Sequence, residues 1–211
     1  MSRRRFLFMG GVAAGVVAAG GAGYAATWAP TYEQPGRVTG VGMDKVLVVY
    51  GTGTGCTEGI AERIGKAVAD RGMTAEVVPA AQAPAPAGYA AVFVGSGVRA
   101  GNWHAPAKEW VRANAVALAG TKVAFYSVGL TLATDPSKTA EVRAYTDPLI
   151  AETGVNPIDV GTFAGMNDAA RFSFLERTIM SLMKSPQGDF RDWAAIDAWT
   201  AKTADSMGLV G

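Results

Sequence analysis

The chain has 211 residues, of which 49% are hydrophobic, so it can bury one good core and no second domain is required. Its formal net charge is +1, and without the three arginines near the N-terminus it has 16 basic against 18 acidic residues, which excludes a broad basic surface for nucleic acid. The single cysteine excludes an intramolecular disulfide and cysteine-based metal sites, and the single histidine excludes histidine-rich ones.

The N-terminal segment has the pattern of an export signal. Ser-Arg-Arg-Arg-Phe-Leu at residues 2–7 matches the twin-arginine motif, and residues 6–32 carry no charge and are rich in Gly and Ala. We expect residues 1–26 to be a signal peptide read by the twin-arginine translocase, or a membrane anchor, since the run is long enough to cross a bilayer. Either outcome predicts a protein that is periplasmic or extracytoplasmic, or anchored to the outer face of the cytoplasmic membrane. Residues 27–44, with several prolines and glycines, are expected to be a linker.

The folded domain is expected to span residues 45–211, and it opens with a strand that runs into a loop of glycines and threonines. Residues 46–50 are apolar throughout, as in a central parallel strand covered on both faces. The loop at residues 51–57 precedes a helix that Thr57 is predicted to cap. Glycines turn backbone N–H groups inward, the first helical turn leaves donors unpaired, and hydroxyls add more donors. The loop contains no lysine, so it suits one compact phosphate dianion better than a triphosphate with its metal.

Strands and helices alternate through the rest of the chain. Further strands are predicted at residues 74–78, 90–95, 122–128 and 158–164, and helices at 104–118, 139–152, 171–184 and 189–207. This alternation predicts an α/β fold with right-handed crossovers and a doubly wound parallel sheet. Ligands of such sheets lie beyond the carboxyl ends of the strands, so residues 51–57, 95–104 and 127–130 should contain the chemistry.

The first of these loops separates the chain from two common nucleotide-binding classes. The P-loop pattern fails because no lysine follows a candidate glycine, and the dinucleotide fingerprint fails because its last glycine is missing. The loop instead resembles the flavodoxin family pattern Thr/Ser-x-Thr-Gly-x-Thr, residue for residue, as Thr52, Gly53, Thr54, Gly55, Cys56 and Thr57. The resemblance implies a flavodoxin-like three-layer sandwich, a five-stranded parallel sheet in the order 2-1-3-4-5, and FMN whose phosphate these residues cradle.

The second loop is expected to hold the flavin ring. Trp103 is the natural stacking partner, or else a residue packed on the core. Arg99 is either a cation that raises the flavin potential or a solvated loop arginine, and His104 is either a proton or hydrogen-bond donor or a neighbour of the helix cap. The helix N-terminus should lower the pKa of Cys56, although no thiol chemistry is predicted. The predicted ring contacts are Ser96, Gly97, Val98, Arg99, Gly101 and Trp103, with Ser127, Val128 and Gly129 from the third loop.

A narrower resemblance covers residues 45–211. Arg99, Gly101, Trp103 and His104, together with Tyr126-Ser127-Val128, are similar to the flavodoxin-type, menaquinone-dependent protoporphyrinogen oxidases. This implies an FMN-dependent oxidoreductase that passes electrons from a small substrate to a quinone. The phosphate loop is closer to ordinary flavodoxins, and haem precursors are oxidised on the cytoplasmic side, so the substrate stays open. The alternatives are a non-catalytic electron carrier that docks a redox partner, and a module that has lost its flavin.

The predicted helix at residues 171–184 is basic and amphipathic. Its apolar stripe consists of Phe172, Leu175, Ile179, Leu182 and Met183. Such a helix either lies on a membrane surface or forms a wall for the quinone or substrate, or it packs on the sheet as an ordinary core helix.

Overall fold

A computed structural model of the chain describes residues 36–171, 178, 181–182 and 185–209. The predicted signal or anchor at residues 1–26, most of the predicted linker, and most of the predicted helix at 171–184 lie outside these residues.

The described residues form a mostly parallel sheet between layers of helices. The strands are β1 (Arg37–Thr39), β2 (Lys45–Gly51), β3 (Thr74–Pro79), β4 (Ala91–Arg99), β5 (Asn102–Trp103), β6 (Val123–Gly129), β7 (Val160–Ala164), β8 (Met166–Asn167) and β9 (Gly188–Asp189). The α-helices are α1 (Cys56–Ala69), α2 (Ala105–Ala113), α3 (Ala115–Ala119), α4 (Thr131–Thr134), α5 (Thr139–Ala144), α6 (Asp147–Thr153) and α7 (Trp193–Ser206). Short 3-10 turns lie at Ala80–Gln82, Pro136–Lys138 and Ala169–Arg171.

The order of the parallel strands confirms the predicted topology. The sheet runs β3-β2-β4-β6-β7, which is 2-1-3-4-5 in the numbering of the five predicted strands. Residues of β2 alternate between two cores: Val46, Val48 and Tyr50 pack with α1 and α7, and Leu47 and Val49 pack with α2 and α3. Both faces are therefore covered, as the apolar run of β2 predicts.

The sheet begins earlier than predicted, inside the segment expected to be a linker. β1 pairs antiparallel with β3 and covers its outer edge. The glycines that suggested a loose linker instead allow close backbone contact, because a Cβ on Gly42 would stand 1.9 Å from the carbonyl oxygen of Gly72. Thr74 donates its hydroxyl to the Gly42 carbonyl at 2.6 Å, which ties the segment to β3.

Two long helices predicted from apolar periodicity are each divided in the structure. The first breaks at Asn114, whose amide donates to the Trp110 carbonyl at 2.8 Å, and the second breaks before α6, which has a proline in its first turn. The last helix starts at Trp193 rather than 189, with Asp192 as its cap. In the described part of the chain, no helix is both long enough and apolar enough to cross a membrane.

Candidate functional site

The glycine–threonine loop turns sharply between the end of β2 and the start of α1. Thr52 and Thr57 are buried, and the Thr52 hydroxyl oxygen accepts the Gly55 N–H at 3.0 Å. Gly55, and not the predicted Thr57, is the N-cap residue, in a left-handed conformation with φ of 79°. Within the described residues no side chain caps α1. The first turn therefore presents backbone donors and buried hydroxyls to an anion, which is what a phosphate group requires.

The carboxyl ends of four neighbouring strands, β2, β4, β6 and β7, lie close together beside this loop. A Cβ on Gly165 would lie 3.4 Å from Val128 and 3.5 Å from the Cys56 sulfur. A Cβ on Gly129 would lie 3.7 Å from the Cβ of Val98. The structure thus brings together the three predicted site segments at one edge of the sheet.

The second predicted loop is a β-hairpin. β4 continues to Arg99, the chain turns at Ala100 and Gly101, and β5 returns antiparallel with Val98 opposite Trp103. Both turn residues have positive φ, 49° and 75°, as two-residue hairpin turns require. This hairpin fixes which side chains face the site and which face the core.

The structure places Trp103 in the core, which is the alternative to the predicted stacking role. Its side chain is only 3% exposed, and its ring packs edge-on against Phe125 with 5.4 Å between centroids. Its indole N–H donates to the Ser127 hydroxyl at 2.8 Å, and Ser127 is itself fully buried. Both side chains therefore lie in the core.

Ser96 and His104 also serve the fold. The Ser96 hydroxyl accepts the His104 backbone N–H at 2.7 Å and donates to the Gly97 carbonyl at 2.9 Å. The imidazole is buried against Gly51. Burial, followed by the positive charges of Arg99 and Lys108, lowers the pKa of His104 to about 4. A buried, neutral imidazole does not support the predicted role in proton donation.

The remaining predicted ring contacts stay at the edge of the sheet. Gly97, Val98 and Arg99 are partly exposed on the hairpin, and Gly129 is partly exposed at the end of β6. Gly101 is exposed at the hairpin tip. The influence of Arg99 on a flavin stays a prediction.

The Cys56 thiol is held inside the site wall. Its sulfur accepts the Met166 backbone N–H at 3.0 Å. Burial raises the pKa of Cys56, and this outweighs the lowering by that hydrogen bond and by Arg191 and Arg171. The predicted lowering of the pKa is therefore wrong, and the absence of thiol chemistry stays a prediction.

A segment that the sequence pattern did not indicate covers one side of the phosphate loop. β8 and β9 pair with each other, and the Phe190 N–H donates to the Gly165 carbonyl at 3.1 Å. We call residues 165–171 and 185–191 the strap. It brings Arg171 to the loop, where its guanidinium donates to the Thr54 carbonyl at 2.8 Å. The only signals for it are a glycine at each end of the short pairing, which is too weak a pattern to predict a hairpin.

A cavity of about 390 Å³ lies between the strap and the first two turns of α1. It is lined by Gly55, Glu58, Glu62, Met166, Arg171 and Arg191, among others. Burial raises the pKa of Glu58, and the negative charge of Glu62 adds to the effect. The cavity borders the phosphate loop at Gly55, and its lining includes both acidic and basic side chains.

Comparison with known proteins agrees with this geometry. A family model described as "Flavodoxin domain" matches residues 47–193. The chain belongs to the flavodoxin domain family. Proteins of this family bind FMN, which confirms the predicted cofactor, and the uncapped α1 terminus with its buried hydroxyls fits the FMN phosphate.

The curated relatives carry a more specific name. The chain is similar to protoporphyrinogen IX dehydrogenase [quinone] from Leishmania major, with 29% identity over 164 residues that cover 72% of this chain and 71% of that protein. The protein of the same name from Escherichia coli K12 is 25% identical over 150 residues, covering 70% and 83%. Among solved structures, flavodoxin 2 from Bacillus cereus aligns with a TM-score of 0.51 and 17% identity, over 76% of this chain and 98% of that one, which shows the fold alone.

Proposed function

We propose that this protein is an FMN-dependent oxidoreductase that oxidises a small reduced substrate at the outer face of the cytoplasmic membrane and passes the electrons to a quinone. The observation that carries the proposal is the intact phosphate loop at a sheet edge, in a chain whose curated relatives are named as quinone-linked dehydrogenases.

Each part of the site would have a separate task. FMN, when bound, supplies the uptake and release of electrons. Thr54 and Thr57, with the backbone donors of the first turn, would hold its phosphate. The glycines of the β4–β5 hairpin and Gly129 would let the backbone approach the ring. Arg99 would place a positive charge at the tip of the hairpin and favour electron uptake.

The proposed location follows from the N-terminal sequence. The twin-arginine motif at residues 2–7 and the uncharged run at 6–32 favour export through the twin-arginine translocase. That route carries folded proteins, so a non-covalent cofactor is loaded before transit. The test is an Arg3→Lys/Arg4→Lys variant, which keeps the charge but removes the motif and should stop export. Arg5→Lys is the matched control and should be exported normally.

Anaerobic reduction tests the redox proposal. The full-length protein is purified with FMN, reduced in the absence of oxygen, and mixed with menaquinone in lipid vesicles while flavin absorbance is followed. Rapid reoxidation of the flavin by menaquinone supports the quinone-coupled enzyme. If menaquinone does not reoxidise the flavin but a redox protein does, the electron carrier is favoured. If the purified protein is colourless and does not bind added FMN, both the enzyme and the carrier proposals are overturned.

The proposed role of Arg99 is tested separately, by measuring the midpoint potential of the bound flavin. Arg99→Leu should lower the midpoint potential of the bound flavin, because a positive charge near the ring is removed. Arg112→Leu is the control, since Arg112 forms a surface ion pair with Glu152. An unchanged potential in Arg99→Leu would leave Arg99 as an ordinary surface arginine.

A further inference from the structure

The phosphate loop lacks a lysine, yet the strap places an arginine on its backbone. We propose, on the basis of the FMN binding argued above, that Arg171 is a phosphate-binding residue whose guanidinium supplies the counter-charge for the FMN phosphate dianion. The sequence motif alone implies a phosphate held by amides and hydroxyls without a cation, so this residue changes how the charge of the cofactor is balanced.

Contacts place the guanidinium on the loop. Arg171 Nη1 donates to the Thr54 carbonyl at 2.8 Å, in the middle of the motif. The same side chain lines the cavity together with Gly55, the N-cap residue of α1. A guanidinium has five donors in a fixed plane, so a residue that holds one loop carbonyl can still direct further N–H groups to a phosphate oxygen.

The field of Arg171 reaches the first turn of α1. At Cys56, where burial is the largest influence, Arg171 and Arg191 both act to lower the pKa. At Glu58, burial and Glu62 raise the pKa, while Arg37 and Arg171 lower it. Two residues of the first turn of α1 therefore lie within the electrostatic influence of Arg171.

Arg191 has a different task, although it lines the same cavity. It binds Asp189 through two hydrogen bonds of 2.8 and 2.5 Å, and its guanidinium lies 4.5 Å above the ring of Trp193. A Cβ on Gly59 would meet it at 2.6 Å, so it is wedged against α1. Arg171, by contrast, contacts the phosphate loop itself through the Thr54 carbonyl at 2.8 Å, and it also pairs with Asp168 at 3.3 Å. We therefore assign phosphate binding to Arg171 and strap anchoring to Arg191.

The assignment implies that the phosphate and the strap stabilise each other. Arg171 lies in the strap, which also contacts the loop through the Met166 N–H that donates to the Cys56 sulfur. Phosphate bound at α1 attracts Arg171, and the strap then covers the loop from the side of β7. By linkage, anything that holds the strap in place tightens FMN more than it tightens riboflavin, which lacks the phosphate.

Comparing FMN with riboflavin tests the assignment on the full-length protein. Arg171→Met removes the charge and keeps much of the side-chain length. We expect dissociation constants for FMN to rise about 10- to 100-fold, the range for one charge-assisted contact, with riboflavin changed by less than about twofold. Arg171→Lys should recover part of the FMN affinity, and the salt dependence of FMN binding should be weaker in Arg171→Met than in the parent protein.

Arg63→Met is the matched control. Arg63 lies on α1, is exposed and pairs with Asp197, so the variant removes the same charge without touching the loop. Near-UV circular dichroism of each variant checks that it is folded. Equal losses of FMN and riboflavin in Arg171→Met, or no loss of either, would overturn the assignment. Failure of the parent protein to bind either flavin would overturn the proposed function instead.

Discussion

The phosphate loop and the β4–β5 hairpin are both glycine-rich segments at the end of a central strand. The sequence pattern predicts where the side chains lie in the loop, but it does not do so in the hairpin. In the loop, the motif residues stay at the turn, because a left-handed Gly55 starts α1 directly. In the hairpin, β4 extends and returns, so Trp103 enters the core. A short motif fixes a strand–loop–helix turn locally, whereas the orientation of hairpin side chains depends on pairing across the turn.

The strongest test of the loop removes two of its hydroxyls. Thr54→Val/Thr57→Val preserves shape and deletes the two hydroxyls proposed to bind the phosphate, and a charge-assisted hydrogen bond contributes about 1.5–3 kcal/mol. We expect FMN binding to weaken by about 3–6 kcal/mol in total, measured by fluorescence titration of the apoprotein.

Riboflavin and a distant threonine provide the controls for this variant. Thr121→Val removes a hydroxyl that donates to the Ala117 carbonyl in the turn before β6, at the opposite end of that strand from the site, and should leave FMN affinity unchanged. If the double variant loses riboflavin as severely as FMN, the loop has collapsed and the hydroxyls are structural.

The second test addresses the hairpin. Trp103→Phe leaves a cavity and removes the donor to Ser127, so the free energy of unfolding should fall by about 2–3 kcal/mol in urea denaturation. FMN affinity of the folded protein should change less than about threefold, since a core residue contributes no stacking. A large loss of flavin affinity with unchanged stability would restore the stacking role.

The local sequence pattern was sufficient to predict the sheet and the phosphate loop. It was insufficient to predict contacts between residues that are far apart in the sequence. The apolar run at residues 46–50 and the alternation after it predicted a doubly wound parallel sheet, and the flavodoxin resemblance of the loop implied its strand order correctly. The strap was not predicted, since β8 and β9 have only two residues each and lie on opposite sides of the predicted helix at 171–184. Gly40 and Gly42 suggested a linker, whereas in the structure they allow close backbone packing. Glycine is favoured in both situations, so its presence alone does not distinguish them.

The third test uses the only histidine of the chain. The pKa of His104 falls from 6.5 to about 4 on folding, so the unfolded chain binds a proton first as the pH drops. Its contribution to stability is complete above pH 6.5 and is lost as the pH falls toward 4. Between pH 7 and 5 this loss should be about 2 kcal/mol, and His104→Asn should not show it. Denaturation curves at several pH values measure the difference. A parallel pH dependence in the two proteins would mean that the imidazole is protonated when folded, and the site role would regain support.

The smallest expected effect lies at the tip of the hairpin. Gly101 has φ of 75°, and an added Cβ would meet Tyr145 at an ordinary 3.6 Å, so Gly101→Ala introduces backbone strain without a clash. We expect a loss of about 1 kcal/mol in unfolding free energy. Ala100 already has positive φ, so Ala100→Gly should instead stabilise the protein by roughly 0.5 kcal/mol. Opposite signs at adjacent positions are specific to a two-residue hairpin turn. If instead Gly101→Ala has no effect and Ala100→Gly destabilises the protein, these two residues do not have positive φ, and the side chains now assigned to the core must be assigned again.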